Sequence, residues 1–418
     1  MDIAFLLHLY QPPTQTGAKF REIFDASYAP LIKTIKDTPN FRISLNIPLS
    51  LLEQMDKYGH TSWIEEVKAL VKSEKIELVG SAAYHPLLSK LPRDFVEKQI
   101  VINEYGLGYY FGRHTGFEGE KAILIKDLVG FFPPELAVNE NLISVLDDLK
   151  YSWVLVDGTA IPDDPGYYPK YGVYKLQNYN VRIVCRNRIF SNMLSFKRDL
   201  DMSKIVDSLS FFEANDRPFV VVLDAEFFGH HFAGGLHVLH RLLESLEDMG
   251  SKVVTVGEYL ELVPTTNLWE LRESSWGASD TDMTVGDIYP MWAAPKNKIH
   301  ILQWEMVSRL LETYAGKTHT NTSEGCETLP VWLPESIKRI EDESERAEIS
   351  LDLLVNQALH SDQFWWASGK GLPTGEILYS PEMVEASLKL FGEVSRKIGN
   401  ADFTHFIEEK SAEIRKLL

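Results

Sequence analysis

The sequence predicts an α/β protein: a series of strand and helix units that favours a closed or nearly closed barrel over residues 1–265, followed by a mostly helical region over residues 266–418. Three observations carry this. Short apolar runs alternate with amphipathic stretches through the first two thirds of the chain, the pattern of parallel strands joined by crossover helices. The number of such units favours a barrel over an open doubly wound sheet, and no GxGxxG turn or P-loop marks a nucleotide site. Beyond about residue 265 helical periodicity takes over.

The opening MDIAFLLHLYQPP supplies the first strand, Ile3 to Leu7. Its apolar stretch is short and lacks a basic leader or a small-residue cleavage site, so it reads as a strand and not as a signal peptide. No stretch approaches the roughly 18 apolar residues that span a bilayer. Cytoplasmic residence, without a membrane partner, is the expectation. Further strands are expected at Arg42 to Ile47, Ile76 to Gly80, Ala122 to Ile125, Ser152 to Val156, Val181 to Cys185, Phe219 to Leu223 and Val253 to Val256. Between them, IPLSLLEQMDKYG, SWIEEVKALVKSE and ENLISVLDDLK carry helical periodicity. VPTTNLWE and the polar TNTSEG read as linker or loop, and HILQWEMVSRLLETYAG, PESIKRIEDESERAEISLDLLVNQALH, PEMVEASLKLFGEVSRKIG and FTHFIEEKSAEIRKLL as the C-terminal helices.

Composition narrows the function. With 44% hydrophobic and 24% charged residues the chain is an ordinary globular protein, and its net charge of −18 argues against a nucleic-acid partner. Two cysteines, Cys185 and Cys326, stand far apart without CxxC spacing, which indicates neither a disulfide framework nor a thiolate zinc site.

Two acids follow apolar runs, where a buried strand gives way to a loop and barrel enzymes keep their catalytic groups. Glu135 follows PheProPro in GFFPPELAVNE, and the two prolines hold the backbone extended just before the carboxylate. Its bland alternative is a first-turn acid on a helix through LAVNENLISVL. Asp224 ends PFVVVLD, a continuous apolar run suited to a strand buried on both faces, with Glu226, Gly229, His230 and His231 crowded behind it. Its alternative is a helix cap. His8, Tyr10 and Gln11 close the first strand and His85 the third. Two such carboxylates are the minimum for splitting a glycosidic bond, and in a retaining glycosidase they lie about 5–5.5 Å apart. A rival reading gathers His8, His85, Asp224 and His230 around a metal ion, as in a metal-dependent carbohydrate hydrolase or deacetylase, but no HExxH or short His pair at ligand spacing supports it.

Together these segments resemble glycoside hydrolase family 57, whose members are retaining enzymes acting mainly on α-glucans. HLYQPP looks like the first family motif through His8, Gln11 and Pro12, with Tyr10 where a second His is common; LVGSAAYHPLL resembles the second through Gly80, His85 and Pro86. The third, GFFPPELAVNE, implies Glu135 as nucleophile, and the fourth, LDAEFFGHH, implies Asp224 as general acid/base. HSDQFWWAS resembles the fifth, contributing His360, Asp362, Trp365 and Trp366. The resemblance implies an incomplete (β/α)7 barrel with helices that help build the site. It also implies substrate contacts at His8, Gln11, His85, Glu226, His230, Trp276, Asp362, Trp365 and Trp366, with no metal and no cofactor. An α-glucan or maltooligosaccharide is the expected substrate. Amylase-type hydrolysis of α-1,4 bonds is the first expectation, favoured by the chain's length; a 4-α-glucanotransferase or branching enzyme on the same site is the alternative.

Overall fold

A computed structural model describes residues 2–111, 128–162, 171–196, 202–214, 218–318 and 343–418. Among the described residues ten strands form two five-stranded sheets. In the first, β1 (Ile3–His8) lies between β2 (Ile43–Asn46) and β8 (Phe219–Asp224); β3 (Ile76–Val79) extends it beyond β2, and β9 (Val253–Val254) also pairs with β1. The second runs β10 (Thr265–Leu268), β6 (Gly172–Leu176), β7 (Arg182–Cys185), β5 (Trp153–Val156), β4 (Gly130–Phe131). Every pairing is parallel except β6 with β7. IAFLLH and WVLV are buried at every position, as expected of strands covered on both faces by crossover helices.

The sheets meet at a seam. Gly80, just past β3, donates to Gly130 O at 2.9 Å and accepts from Phe132 N at 2.8 Å. At the far side Asn187 N, just past β7, donates to Val220 O of β8 at 2.8 Å. No closed barrel ladder is present among the described residues; the coarser α/β expectation holds, with parallel strands and many helices. The seam depends on two missing side chains. A Cβ at Gly80 would lie 2.4 Å from the Tyr151 hydroxyl, and one at Gly130 would lie 2.0 Å from the buried indole of Trp153.

Two expectations need correction, and two strands, β4 and the antiparallel β6, were not foreseen. VPTTNLWE is not a linker throughout: Thr265–Leu268 is β10, which supplies backbone partners to the otherwise open edge of β6. The strand expected to reach Val256 stops at Val254, because Thr255 caps a helix over Val256–Leu262 in a reciprocal capping box with Glu258. The strand expected at Ala122 to Ile125, the TNTSEG loop and Cys326 lie outside the described residues.

The helices after residue 265 end where their caps dictate. Ser380 caps Pro381–Ile398, which stops at a left-handed Gly399 (φ 73°), and Asn400 caps Ala401–Arg415. One apolar core runs through both regions, from Ile3 to Ile414. The chain near Asn356–Ser361 also bonds the body directly: Gln99 Nε2 donates to Asn356 O at 3.0 Å, and Pro86 bridges His360.

Gly130→Ala should therefore destabilise the protein by roughly 1–3 kcal/mol through overpacking against Trp153. A urea midpoint equal to that of the parent would show that the seam tolerates a side chain there.

Candidate active site

Parallel pairing brings the strand C-termini to one edge. His8 ends β1 and is level with Asn46 ending β2 and with Asp224 ending β8. β5 runs into Asp157 and β7 into Arg186, while β4 leads through Phe132 and two prolines to Glu135.

After an extended Pro133 (φ −66°, ψ 132°) the chain makes a short turn over Pro134–Leu136, in which Glu135 and Leu136 take φ of 60° and 45°. For residues with a Cβ this conformation costs about 1–2 kcal/mol each. The turn is held by Leu136 N to Pro133 O at 2.9 Å, Ala137 N to Pro134 O at 3.0 Å and Trp276 N to Glu135 O at 3.0 Å. The helix that offered Glu135 a bland role begins only at Glu140, where Asn139 caps it. Glu135 is 7% exposed. Its Oε1 accepts from Ser361 Oγ at 2.8 Å and its Oε2 from Trp276 Nε1 at 2.9 Å.

Asp224 precedes a short turn, Ala225–Phe227, yet makes no capping hydrogen bond, so the cap reading fails. Glu226 is buried and accepts from Gln11 Nε2 at 3.0 Å and from the Tyr28 hydroxyl. His230 is not drawn into this cluster: it sits at the rim with Nδ1 3.6 Å from Glu22.

Four rings form one wall. Tyr10 stacks on His85 (4.2 Å), His85 on His8 (4.8 Å) and His8 on Phe132 (4.6 Å), with Trp276 edge-on to His8. Burial pushes His8 down to about 4 and His85 well below its ordinary value, so both are neutral at pH 7. Arg186 brings positive charge to the site; its Nε donates to Asp157 at 2.7 Å while its guanidinium lies over Trp276. Arg188 also pairs with Asp157, at 2.9 Å.

The C-terminal region closes the cluster. Ser361 N donates to His85 O at 3.0 Å, and Asp362, the first residue of the helix Asp362–Trp365, interacts electrostatically with Tyr10 and Glu135. Trp365 packs on Trp292 with ring centres 5.7 Å apart; the indole N–H of Trp366 has no partner among the described residues.

Four acids thus share one site, Glu135 and Glu226 buried and Asp224 and Asp362 half-buried. Burial, reinforced by Asp362 and by Asp224, pushes Glu135 up to about 8 against the donors Ser361 and Trp276. Burial lifts Asp224 to about 7 against Arg186, Glu226 to about 8 and Asp362 to about 6. The rival metal set does not converge. His8 and His85 are engaged through Nδ1 by Asn46 and Ser361, and His230 lies near Glu22. Among the described residues no group of three or more His, Cys, Asp or Glu is arranged to hold an ion, and no helix is long and apolar enough to cross a membrane. Asp157 was missed although it follows the apolar run WVLV, the same signal that marked Asp224, and Asn46 follows the mixed sequence RISL, which carries no such signal. Tyr28 and Ser361 sit in helical or loop text with no such signal.

Comparison with known proteins gives the family. Residues 7–272 match Glycosyl hydrolase family 57, and the chain belongs to it. It is 22% identical over 177 residues to an alpha-amylase of Pyrococcus furiosus, covering 41% of this chain and 25% of that protein. It is 25% identical over 112 residues to a 4-alpha-glucanotransferase of Thermococcus litoralis, covering 26% and 17%. These matches thus span a quarter or less of the curated relatives. The crystal structure of a GH57-type branching enzyme from Pyrococcus horikoshii superposes over 100% of this chain and 96% of its own, with a TM-score of 0.68 and 16% identity, a likeness of fold.

The raised Glu135 has a thermodynamic signature. Its proton is held more tightly in the folded chain (about 8) than at the ordinary 4.5, so between those pH values the folded state binds more protons and stability falls as pH rises. Glu135→Gln should melt above the parent at pH 8, with the gap closing toward pH 4.5. Calorimetry showing a gap that does not vary with pH would contradict this.

Proposed function

We propose that this family 57 chain cleaves α-linked glucans, or maltooligosaccharides, by a double displacement that retains anomeric configuration. Glu135 is the nucleophile and Asp224 the general acid/base. One observation carries the assignment: both oxygens of Glu135 accept from neutral donors, whereas Asp224 receives no hydrogen bond among the described residues. Donors aimed at a carboxylate favour its anion. Burial lifts Glu135 somewhat further than Asp224 in the free protein. The charge is assigned to Glu135 by its two donors and by the positive charge that develops on the anomeric carbon beside it.

In the first step Glu135 attacks the anomeric carbon while protonated Asp224 donates to the departing glycosidic oxygen, leaving a glycosyl ester on Glu135. Asp224, now a carboxylate, takes a proton from the acceptor, whose oxygen displaces Glu135. The neutral ring wall of Tyr10, His85, His8 and Phe132 offers a sugar a flat apolar surface beside these acids. Asp362, Gln11, Glu226 and the tryptophans at 276, 365 and 366 complete the substrate contacts in this reading, with His230 at the rim.

Water as acceptor gives amylase-type hydrolysis of α-1,4 bonds, the reading we favour from the amylase relatives. A sugar acceptor makes the same site a glucanotransferase or branching enzyme. Chain length does not separate these, since the branching-enzyme structure is matched over 96% of its length. We further take the body over 1–265 as an incomplete (β/α)7 barrel and 266–418 as the helical part that completes its cleft. The Gly80 seam and the Asn187–Val220 hydrogen bond support that reading.

Glu135→Gln and Asp224→Asn should each lower kcat on amylose by at least about 10³-fold with the fold intact, an estimate from the loss of covalent or acid/base catalysis. Near-normal turnover in either variant would sink the assignment. The acid limb of kcat/KM in the parent should be displaced from 4.5 toward about 8, because Glu135 must ionise before it attacks. Resolving the products from maltooligosaccharides assigns the acceptor: short sugars mean hydrolysis, longer chains transfer, and α-1,6 links branching.

A further inference from the structure

Ser361 is completely buried, comes from the C-terminal region, and touches two groups of the site at once. Its Oγ lies 2.8 Å from Glu135 Oε1 and 3.0 Å from His85 Nδ1, and its backbone N–H is tied to His85 O at 3.0 Å. A hydroxyl has one proton to give, and an ionised carboxylate can only accept. Once Glu135 is anionic, Ser361 must donate to it. With that proton committed, Ser361 can only accept from the imidazole, so the proton of neutral His85 sits on Nδ1. The other ring nitrogen, Nε2, is then a bare acceptor, and it is buried with no hydrogen-bond partner among the described residues.

The neighbouring imidazole obeys the same logic. His8 Nδ1 lies 2.7 Å from Asn46 Oδ1, and Asn46 Nδ2 donates to Val79 O at 3.3 Å, which fixes Oδ1 as the atom facing the ring. An amide oxygen can only accept, so His8 also carries its proton on Nδ1. Two stacked, neutral imidazoles therefore share one tautomer, set in one case by Asn46 and in the other by Ser361.

We propose that Ser361 is a positioning residue for the reaction: its hydroxyl aims the Glu135 carboxylate and, because its one proton is spent there, accepts from His85 Nδ1 and locks His85 as a lone-pair acceptor for a sugar hydroxyl. The proposal rests on Glu135 being the nucleophile. Ser361 holds Oε1 while Trp276 holds Oε2, so the carboxylate cannot rotate about its terminal bond without losing both. Glu135 is faced by Asp362, Asp224, His85 and Tyr10 from four different segments, and none of these is a cation at pH 7. The donors Ser361 and Trp276 therefore do what a nearby positive charge would do elsewhere.

The test is Ser361→Ala, which removes one atom and leaves the backbone bond to His85 in place, with Ser361→Thr as the variant that keeps the hydroxyl. In Ser361→Ala kcat should fall about 10- to 100-fold, the loss expected of a hydrogen bond to a charged group, with KM changed less than threefold. The acid limb of its kcat/KM profile should move to higher pH by about one unit, because the anion has lost a donor. Ser361→Thr should recover the position of that limb. Nitrogen-15 NMR of the His85 ring, read above pH 8 where Glu135 is ionised, in the parent and in Ser361→Ala without any substrate, should give a protonated Nδ1 in the parent and a mixture of tautomers in the variant. An unmoved acid limb together with an unchanged His85 tautomer overturns the proposal. Full activity in Glu135→Gln would instead overturn the nucleophile assignment, and the tautomer measurement would still report on Ser361 by itself.

Discussion

β1 hydrogen-bonds β2 on one side and β8 on the other, all parallel, and the rest of the site depends on that register. Level residues in neighbouring parallel strands end at the same edge, so His8, Asn46 and Asp224 emerge together although they are separated by up to 216 residues. A slip of one residue would turn Asp224 to the opposite face of the sheet. What prevents the slip is burial: FVVVLD and IAFLLH are apolar on both faces and covered on both, so the strands have little freedom to trade positions with water. The seam at Gly80 then carries the edge across to β4, and with it Glu135.

That edge is electrostatically costly. Glu135, Asp224, Glu226 and Asp362 are raised by burial, the two histidines among them are too desolvated to become cations, and Arg186 is already engaged by Asp157. A site built this way favours protonated acids at neutral pH and makes any single anion expensive unless donors are aimed at it. The donors are distributed unevenly. Among the described residues Glu135 has Ser361 and Trp276, Glu226 has Gln11 and Tyr28, and Asp224 has the field of Arg186. Unequal solvation of like groups is how two carboxylates come to hold different roles.

The donors to Glu135 both come from beyond residue 265. Trp276 reaches back through a backbone bond to Glu135 O, and Ser361 through one to His85 O, so each side chain is fixed by the main chain of the element it serves. Both lie on the far side of the family match, which ends at residue 272. The strained turn at Glu135 and the left-handed His85 (φ 56°) meet in this region, and backbone strain persists where surroundings over-determine it.

The strand ends were legible because a buried parallel strand writes its own end: the apolar run stops, and the first polar residue faces the edge. That rule finds His8 and Asp224, and applied evenly it would also have found Asp157; it does not find His85, which lies beyond β3 after Ser81, or Asn46, whose strand alternates Ile43, Ser44 and Leu45. It fails for β4, which is two residues long, for β6, whose GVYKL is interrupted by a lysine, and for the edge strand β10, whose TTNL buries only its last residue. It also fails for Ser361, since a serine that matters through one hydrogen bond to a residue 226 positions away leaves no local periodicity. The sequence by itself thus determined the α/β class, the strands of the first sheet and the acid at the end of β8, because burial on two faces dictates residue type along the chain. Only the tertiary structure decided which acid receives donors, which histidine nitrogen is bare and that His230 stands aside, because hydrogen-bond partners are set by distances between segments that the chain order does not encode.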